Sequence, residues 1–269
     1  MNKIGVFIPC YNVEKTIRGV FDSFSAEILV KVDEILVVDN SSEDKTLFIL
    51  KDLQATKDFG HKLVIIKNME NYGLGGSQKI AYQYFMDHQF SHFMIIHGDD
   101  QGNADEIAGF FFEVFERDPE VDLILASRFH PAANTSQYNG VRRIGNHFFN
   151  LMTYLLTGHK MSDAGTGIMF IRTKILEQAP FSYLTDSFQF NPELNILLYN
   201  LRNLKIQEVP LNWRDSQAGS NIRSLPYCWT LLGILIKYRM NRSIFRKPGS
   251  QWFDGNLKEF RPRFEIDKR

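Results

Sequence analysis

The chain has 269 residues, of which 44% are hydrophobic and 23% are charged, and its formal net charge at pH 7 is 0. These values are typical of a globular protein with one large domain or two small ones, and the balanced charge gives no indication of nucleic-acid binding. The two cysteines, Cys10 and Cys228, lie far apart and form no metal-ligand spacing, which favours a reducing compartment. No apolar run approaches the ~18 residues of a membrane span, and a strand beginning near residue 3 leaves no room for a signal peptide. We therefore expect a cytoplasmic protein, either free or peripheral on the cytoplasmic face of a membrane.

Strands and helices are predicted to alternate through the first half of the chain. Strands are predicted at residues 4–9, 34–39, 62–67, 93–96 and 121–128, and helices from about residues 13 and 42 and at 81–90 and 104–117. This alternation predicts a doubly wound, mostly parallel sheet with helices on both faces.

The alternation ends after Arg128. Polar loops are predicted at 129–140 and 215–225, helices at 141–156, 192–201 and 227–240, and short strands at 168–171 and 205–213. The last thirty residues mix basic and aromatic side chains without clear periodicity. We expect one domain over residues 1–222 and a C-terminal helix and tail over 223–269.

The fourth predicted strand runs directly into residues 97–101, His-Gly-Asp-Asp-Gln. In open α/β sheets, ligands bind at the carboxyl ends of the strands. Carboxylate and amide oxygens suit Mg²⁺ or Mn²⁺, and His97 could add a nitrogen ligand. Alternatively, Asp99 and Asp100 are a capping pair before the helix that begins near Ala104, which requires no function.

Two other segments could bind a nucleotide. Asp39 ends the second predicted strand, where its carboxylate could accept hydrogen bonds from a base or a ribose, although an aspartate that only forms a turn is the alternative. Gly73, Gly75 and Gly76 would let the backbone approach a ligand closely, or simply permit a turn. They lack the full GxGxxG spacing and follow the third strand, which weighs against a dinucleotide-binding dehydrogenase, and the chain has no P-loop.

Three later residues are candidates for phosphate binding or acid–base chemistry. Arg128 ends the fifth strand and could hold a phosphate in a bidentate fork, with a surface ion pair as the alternative. Glu193 lies among apolar residues, which could raise its pKa toward that of a general base; alternatively, it is a first-turn residue favoured by the helix dipole. Asp163 is the other suggestive carboxylate.

The helix predicted at 227–240 carries a different signal. Residues 216–253 contain no acidic residue, and arginine and lysine flank the apolar helix. Such a helix suits the surface of an anionic bilayer. The alternatives are a core helix with a basic, solvated end, and a contact between subunits.

These segments together resemble family 2 inverting glycosyltransferases of the A-type fold, which include the dolichyl-phosphate mannose synthases and the polyprenyl-phosphate glycosyltransferases. The resemblance runs from Ile4 to about Ile222 and is carried by residues 8–14, 37–44, 71–76, 126–129, 163–167, 188–193, 208–210 and 219–220. It implies a Rossmann-like, mostly parallel central sheet flanked by helices, followed here by the C-terminal amphipathic helix and tail.

The resemblance also implies roles for individual residues. The nucleotide would be bound by Pro9, Tyr11, Asn12, Glu14, Asp39, Asn71, Gly75, Gly98 and Asp99, with Asp39 contacting uracil or guanine. The metal would be held by Asp99 and Gln101, with His97 standing where the Asp-x-Asp-x-Gln motif of the family has its first aspartate. Phosphates or the acceptor would be bound by Arg128, Arg214 and Arg223.

We therefore expect a metal-dependent inverting transferase that uses Mg²⁺ or Mn²⁺ and a UDP- or GDP-linked sugar donor, with Asp99, Glu193, Asp163 and Arg128 as the catalytic candidates. The acceptor could be a polyprenyl phosphate or a cell-surface glycan precursor. A lipid phosphate is already anionic and needs no strong base, whereas a hydroxyl acceptor requires one, such as Glu193 or Asp163. A second hypothesis is a non-catalytic, nucleotide-binding subunit on a membrane, with His97 marking a degenerate metal site. A second copy of the chain is a further expected partner.

Overall fold

The computed structural model describes residues 2–214, 224–242 and 262–268. The strands are β1 Ile4–Cys10, β2 Glu34–Asp39, β3 Leu63–Asn68, β4 His92–Ile95, β5 Leu123–Ser127, β6 Met169–Arg172, β7 Ile206–Pro210 and β8 Phe264–Asp267. The helices are α1 Ile17–Ser23, α2 Ala26–Lys31, α3 Thr46–Thr56, α4 Gly73–Asp87, α5 Ala104–Arg117, α6 Gly140–Thr157, α7 Thr173–Leu176, α8 Phe190–Tyr199 and α9 Ser224–Met240.

The eight strands of the described ranges join one sheet in the order β7-β5-β6-β4-β1-β2-β3-β8. The pairs β1–β2, β1–β4, β2–β3 and β5–β7 are parallel, whereas β6 runs antiparallel to β4 and β5, and β8 runs antiparallel to β3. The central strands are buried along almost their whole length, as expected where helices cover both faces of a parallel sheet. The predicted mostly parallel sheet is confirmed.

Successive side chains of the inner strands enter two separate apolar layers. Phe7 of β1 packs in one layer with Tyr82 of α4 and Phe190 of α8. Its neighbour Ile8 packs in the other layer with residues of α1 and α5, among them Phe111. Because successive side chains of a strand point to opposite faces, the run at residues 4–10 supplies both layers at once.

The glycine-rich segment is the clearest departure from the predicted elements. We expected a turn over residues 71–77 and a helix from Ala81, but α4 begins at Gly73. Gly73 has φ of +72°, and a Cβ there would lie 2.3 Å from the Asp186 carbonyl oxygen. A Cβ at Gly75 would lie 2.3 Å from the Thr185 carbonyl oxygen. These glycines therefore let the first turn of the helix pack against the backbone of residues 185–186.

The C-terminal region contributes to the same sheet. Sequence periodicity indicated no strand after residue 240, yet β8 pairs with β3 from Ile65↔Asp267 to Asn68↔Phe264. The α9 side chains Leu231, Ile234, Leu235 and Tyr238 are buried in the core, which corresponds to the core-helix alternative. Within the described ranges, no helix combines the length and apolar character needed to cross a bilayer. The domain boundary at residue 222 stays a prediction.

Candidate active site

A cleft of about 740 Å³ opens where β1, β2, β4 and β5 end. This volume is within the range typical of small-molecule sites. Ten of the predicted site residues line it, namely Pro9, Tyr11, Asn12, Glu14, Asn71, His97, Gly98, Asp99, Gln101 and Arg128. Five others are described but are not part of the wall, namely Asp39, Gly75, Asp163, Glu193 and Arg214. Arg223 lies outside the described residues.

The loops after β1 and β2 hold each other in place at one end of the cleft. The Asn12 amide donates to Ser42 Oγ at 3.0 Å, and the Asn12 side-chain oxygen accepts from the Glu43 amide at 2.9 Å. The Glu14 amide donates to Asp44 Oδ2 at 3.0 Å. Asn12 adopts a left-handed backbone conformation, with φ of +53°. These reciprocal bonds pre-organise the predicted nucleotide segment without a ligand.

An asparagine network joins this region to the start of α4. Asn40 Nδ2 donates to Asn71 Oδ1 at 2.7 Å, and Asn40 Oδ1 accepts from Asn68 Nδ2 and from the Tyr72 amide, each at 2.9 Å. The Gly73 amide completes the network by donating to Asn71 Oδ1 at 2.9 Å. Sequence reasoning missed Asn40 and Asn68. Their positions at the ends of adjacent parallel strands are the signal that could have identified them.

Carboxylates converge near the floor of the cleft around Cys10. Burial raises the pKa of the Cys10 thiol well above its ordinary value, and the negative charges of Asp39, Asp99 and Asp44 raise it further. Asp39 itself is fully buried, its Oδ1 has no hydrogen-bond partner, and burial raises its pKa. An anionic ligand would be repelled by this group of charges unless a cation accompanied it.

His97, Asp99 and Gln101 lie together on the cleft wall after β4. A Cβ at the intervening Gly98 would lie 3.0 Å from Cys10 Sγ and 3.1 Å from the Pro9 carbonyl oxygen, so the close approach of the two strand ends favours glycine. The His97 Nε2 atom is buried without a hydrogen-bond partner. Burial lowers the pKa of His97, the Asp99 carboxylate opposes that change, and Arg128 adds to it.

His97, Asp99 and Gln101 could supply part of the ligand set of a divalent cation, with the remaining ligands coming from the substrate. Among the described residues, no three histidine, cysteine or acidic side chains are grouped so as to hold a metal. Asp99 with the orphaned imidazole nitrogen of His97 supplies a partial donor set, to which Gln101 could add an amide oxygen. Mg²⁺ is commonly held by one or two carboxylates together with substrate phosphates, so an incomplete protein donor set suits this ion.

Arg128 and Asp163 form a buried, bidentate ion pair. Arg128 Nε donates to Asp163 Oδ2 and Arg128 NH2 donates to Asp163 Oδ1, both at 2.7 Å. Burial disfavours the charge on Arg128, but the Asp163 carboxylate outweighs it and raises the pKa of the guanidinium. The rings of Phe129, Tyr138 and Trp213 surround the guanidinium carbon at 5.4–5.8 Å from their centroids. The structure thus holds the Arg128 guanidinium in a fixed orientation on the cleft wall, where Asp163 compensates its charge and both oxygens of Asp163 are engaged.

Glu193 lies in the first turn of α8, fully buried and away from the cleft wall. Its Oε2 accepts from the Thr185 amide at 2.9 Å and from Thr185 Oγ1 at 3.1 Å, whereas Oε1 has no partner. Burial raises the pKa of Glu193 to about 7. Glu193 therefore supports the segment that precedes α8, and its neighbour Asn191 is the residue that reaches the cleft.

Arg214 binds the loop that carries the candidate metal ligands. Its Nε donates to the Asp100 carbonyl oxygen at 2.9 Å, its NH2 pairs with Asp100 Oδ2, and its amide donates to the Gln101 carbonyl oxygen at 2.9 Å. Asp100 has φ of +56°, a left-handed conformation that these contacts stabilise. In this structure Arg214 orders residues 100–101.

A further part of the cleft wall, which adjoins Arg128 at Trp213, comes from the second half of the chain. It consists of residues 165–168, Ser187, Phe188, Asn191, Leu211, Trp213 and Tyr227. Segments 163–167 and 188–193 were singled out by resemblance, but Trp213 and Tyr227 were not assigned to the site. They come from distant parts of the chain, and no local pattern indicates that they meet.

Comparison with known proteins agrees with this architecture. The model of "Glycosyl transferase family 2" matches residues 5–179. The UDP-N-acetylglucosamine–dolichyl-phosphate N-acetylglucosaminyltransferase of Methanococcus voltae is 24% identical over 254 residues, which is 88% of this chain and 94% of that protein. An uncharacterized protein of Methanocaldococcus jannaschii is 25% identical over 211 residues, which is 78% of this chain and 81% of that protein.

The fold is also found among solved structures. Glucosyl-3-phosphoglycerate synthase from Mycobacterium tuberculosis, solved with Mn²⁺, UDP and glucosyl-3-phosphoglycerate, matches with a TM-score of 0.63 at 17% identity, covering 93% of this chain and 82% of that one. This similarity confirms the glycosyltransferase A-type fold. Because the family model spans well over half of the sequence and the cleft lies where that fold places its ligands, the chain belongs to glycosyl transferase family 2 and is a nucleotide-sugar glycosyltransferase.

Proposed function

We propose that this enzyme transfers a sugar from a UDP-linked donor to the phosphate of a polyprenyl-type lipid, with inversion at the anomeric carbon. The donor and acceptor classes are those named for the Methanococcus voltae relative, which aligns with 88% of this chain. The geometry of the cleft supports the same choice for independent reasons.

The donor half of the cleft suits a nucleoside diphosphate. The asparagine network and the paired loops after β1 and β2 present fixed polar groups for the base and the ribose. Asp99, His97 and Gln101 would hold Mg²⁺ or Mn²⁺ beside the diphosphate. Such an ion supplies charge neutralisation for the departing nucleotide.

Two carboxylates near the acceptor half support a phosphate rather than a hydroxyl as the acceptor. The observation that carries this choice is that Asp163 is bound on both oxygens by Arg128, while Glu193 is buried away from the wall. Asp163 is therefore engaged on both oxygens, and Glu193 does not reach the cleft. A lipid phosphate is already anionic, so no proton has to be removed before attack.

The reaction balances without proton transfer. An oxygen of the acceptor phosphate forms a bond to the anomeric carbon from the face opposite the nucleotide. The bond from that carbon to the diphosphate oxygen breaks, and UDP leaves with the electron pair. Arg128 would donate to the acceptor phosphate from NH1, the guanidinium nitrogen that Asp163 does not bind.

The test offers radiolabelled UDP-N-acetylglucosamine, UDP-glucose and GDP-mannose to the enzyme with a polyprenyl phosphate or with the matching polyprenol. We expect label to enter the lipid phase from a UDP-sugar with the phosphate alone. Asp99→Asn should abolish transfer, whereas Asp58→Asn, at an exposed carboxylate remote from the cleft, should not. Transfer to the polyprenol, or from GDP-mannose alone, would contradict the proposal.

A further inference from the structure

Helix α6 has a buried side and an apolar exposed side. Phe149, Met152 and Leu156 pack against the core, and Thr153 is buried. The opposite side bears large apolar side chains that are 50–81% exposed. We call this surface the α6 face; it consists of Val141, Ile144, Phe148, Leu151, Tyr154 and Leu155.

The spacing of these residues is that of one helical stripe. Positions 141, 144, 148, 151 and 155 follow one another at intervals of three and four, which places them on one side of an α-helix. Burying such a stripe against a second apolar surface is strongly favourable, and contiguous exposed apolar patches mark sites of interaction with proteins or membranes.

The charges around the α6 face indicate which surface it binds. Residues 140–157 contain no acidic residue, and Arg142 and Arg143 lie in the first turn. The adjacent helix α9 also lacks acidic residues and carries Lys237 and Arg239 in its last turn. An apolar helical stripe with basic neighbours matches an anionic lipid surface, which offers apolar chains beneath negative headgroups.

Hydrogen bonds fix α6 to the acceptor half of the cleft. Asn150 Oδ1 accepts from the Ala164 amide at 3.0 Å, and Asn150 Nδ2 donates to the Ser162 carbonyl oxygen at 2.5 Å. These two residues flank Asp163, the partner of Arg128. A surface bound to α6 is therefore held in a defined position relative to Arg128.

We propose that the α6 face docks onto a bilayer that contains anionic lipids. The proposal assigns the membrane contact to α6. The sequence pattern had indicated the helix at residues 227–240, which corresponds to α9, but much of the apolar surface of α9 is buried. Docking is a property of the surface alone and does not depend on the donor or acceptor of the reaction.

The experiment measures flotation of the full chain with vesicles of phosphatidylcholine alone or with phosphatidylglycerol added, without donor or lipid acceptor. We expect binding to the anionic vesicles that weakens as salt is raised. Phe148→Glu should reduce the partition coefficient by about tenfold or more, because it removes apolar area and adds a repelled charge.

Phe48→Glu is the matched control, because Phe48 is 72% exposed on α3, compared with 58% for Phe148 on α6. Thermal unfolding of both variants verifies that they fold, and sedimentation velocity reports the oligomeric state. Equal partition of the two variants would overturn the proposal. Absence of wild-type binding to anionic vesicles would also overturn it. A third contrary result would be a wild-type dimer that Phe148→Glu dissociates while the partition coefficient stays unchanged, because the α6 face would then bind a second copy of the chain.

Discussion

The Arg128 guanidinium meets the Asp163 carboxylate edge to edge, with two parallel hydrogen bonds of 2.7 Å. The side chain of Asp163 is 1% exposed and that of Arg128 is 14% exposed, so water screens the pair only weakly. The pair links the end of β5 to the segment that precedes β6, and it fixes the direction in which Arg128 faces the cleft.

Removing the charge of Asp163 should therefore destabilise the protein strongly. Asp163→Asn leaves the Arg128 charge buried without its partner, and we expect the free energy of unfolding to fall by about 3–5 kcal/mol in denaturant titrations. Asp52→Asn is the control, because the Arg18–Asp52 pair has the same 2.7 Å contact but side chains that are 46% and 39% exposed. That change should cost less than about 1 kcal/mol. Similar losses for both variants would contradict the account of the buried pair.

Substituting His97 tests whether its orphaned nitrogen binds a metal. We expect His97→Ala to weaken the apparent affinity for Mn²⁺ in the presence of UDP by about tenfold or more, measured by calorimetric titration with a chelator-treated sample as reference. His61→Ala, at an exposed histidine remote from the cleft, should leave that affinity unchanged. UDP binding that is indifferent to metal in the wild type would favour the degenerate-site hypothesis.

Gly73 provides a test of backbone conformation. Its φ is +72°, and a methyl group added at this position would lie 2.3 Å from the Asp186 carbonyl oxygen, so Gly73→Ala should lower stability by about 1–3 kcal/mol. It should also weaken UDP binding, because Gly73 lines the cleft. Gly109→Ala in α5 has open space around the new methyl group and should raise stability by about 0.5–1 kcal/mol. Equal changes in the thermal stability of Gly73→Ala and Gly109→Ala would rule out the steric explanation.

The buried carboxyl of Glu193 makes stability depend on pH. Its pKa in the folded protein is raised to about 7 from an ordinary value of 4.5. Between these values the unfolded chain has released a proton that the folded protein retains, so stability falls as pH rises through this window, by about 3 kcal/mol in all. Above pH 7 both states are ionised and this contribution becomes constant.

Glu193→Gln removes the titration while keeping an oxygen that can accept from Thr185. We expect the decline in stability between about pH 4.5 and 7 to flatten in that variant, measured by denaturant unfolding at a series of pH values. Glu113→Gln, at an exposed position on α5, should keep the wild-type slope. An unchanged slope in Glu193→Gln would show that other groups determine the dependence.

Much of the fold follows from local patterns. Strands such as β2 are continuous apolar runs, and the helix over Ala104–Arg117 has a clear apolar stripe, so both were predicted with their observed bounds. The residue that caps this helix is Asn103 and not the Asp99–Asp100 pair that the sequence had suggested. The strand β8 could not be predicted, since its four residues are held by pairing with β3, about two hundred positions earlier.

Only part of the candidate site could be predicted from local sequence patterns. Residues that follow different strands, such as Asn12 after β1 and Asp99 after β4, meet because parallel strands end at one edge of the sheet. The engagement of Asp163 by Arg128 and the removal of Glu193 from the wall depend on tertiary packing. A sequence shows that a carboxylate is present, but it does not show whether another side chain forms an ion pair with that carboxylate.

The short strand β8 has a consequence for the solubility of the protein. It covers the outer edge of β3, whose residues from Ile65 to Asn68 would otherwise offer unpaired backbone groups. Such edges recruit strands from other chains, and this recruitment leads to aggregation. The Arg263 carbonyl oxygen also accepts from the Met69 amide at 3.0 Å, which extends the cover toward Asn71 on the cleft wall. β8 thereby becomes the edge strand of the sheet, but it has only four residues and carries Glu265 and Asp267, and short, charged edge strands disfavour pairing with a strand of another chain.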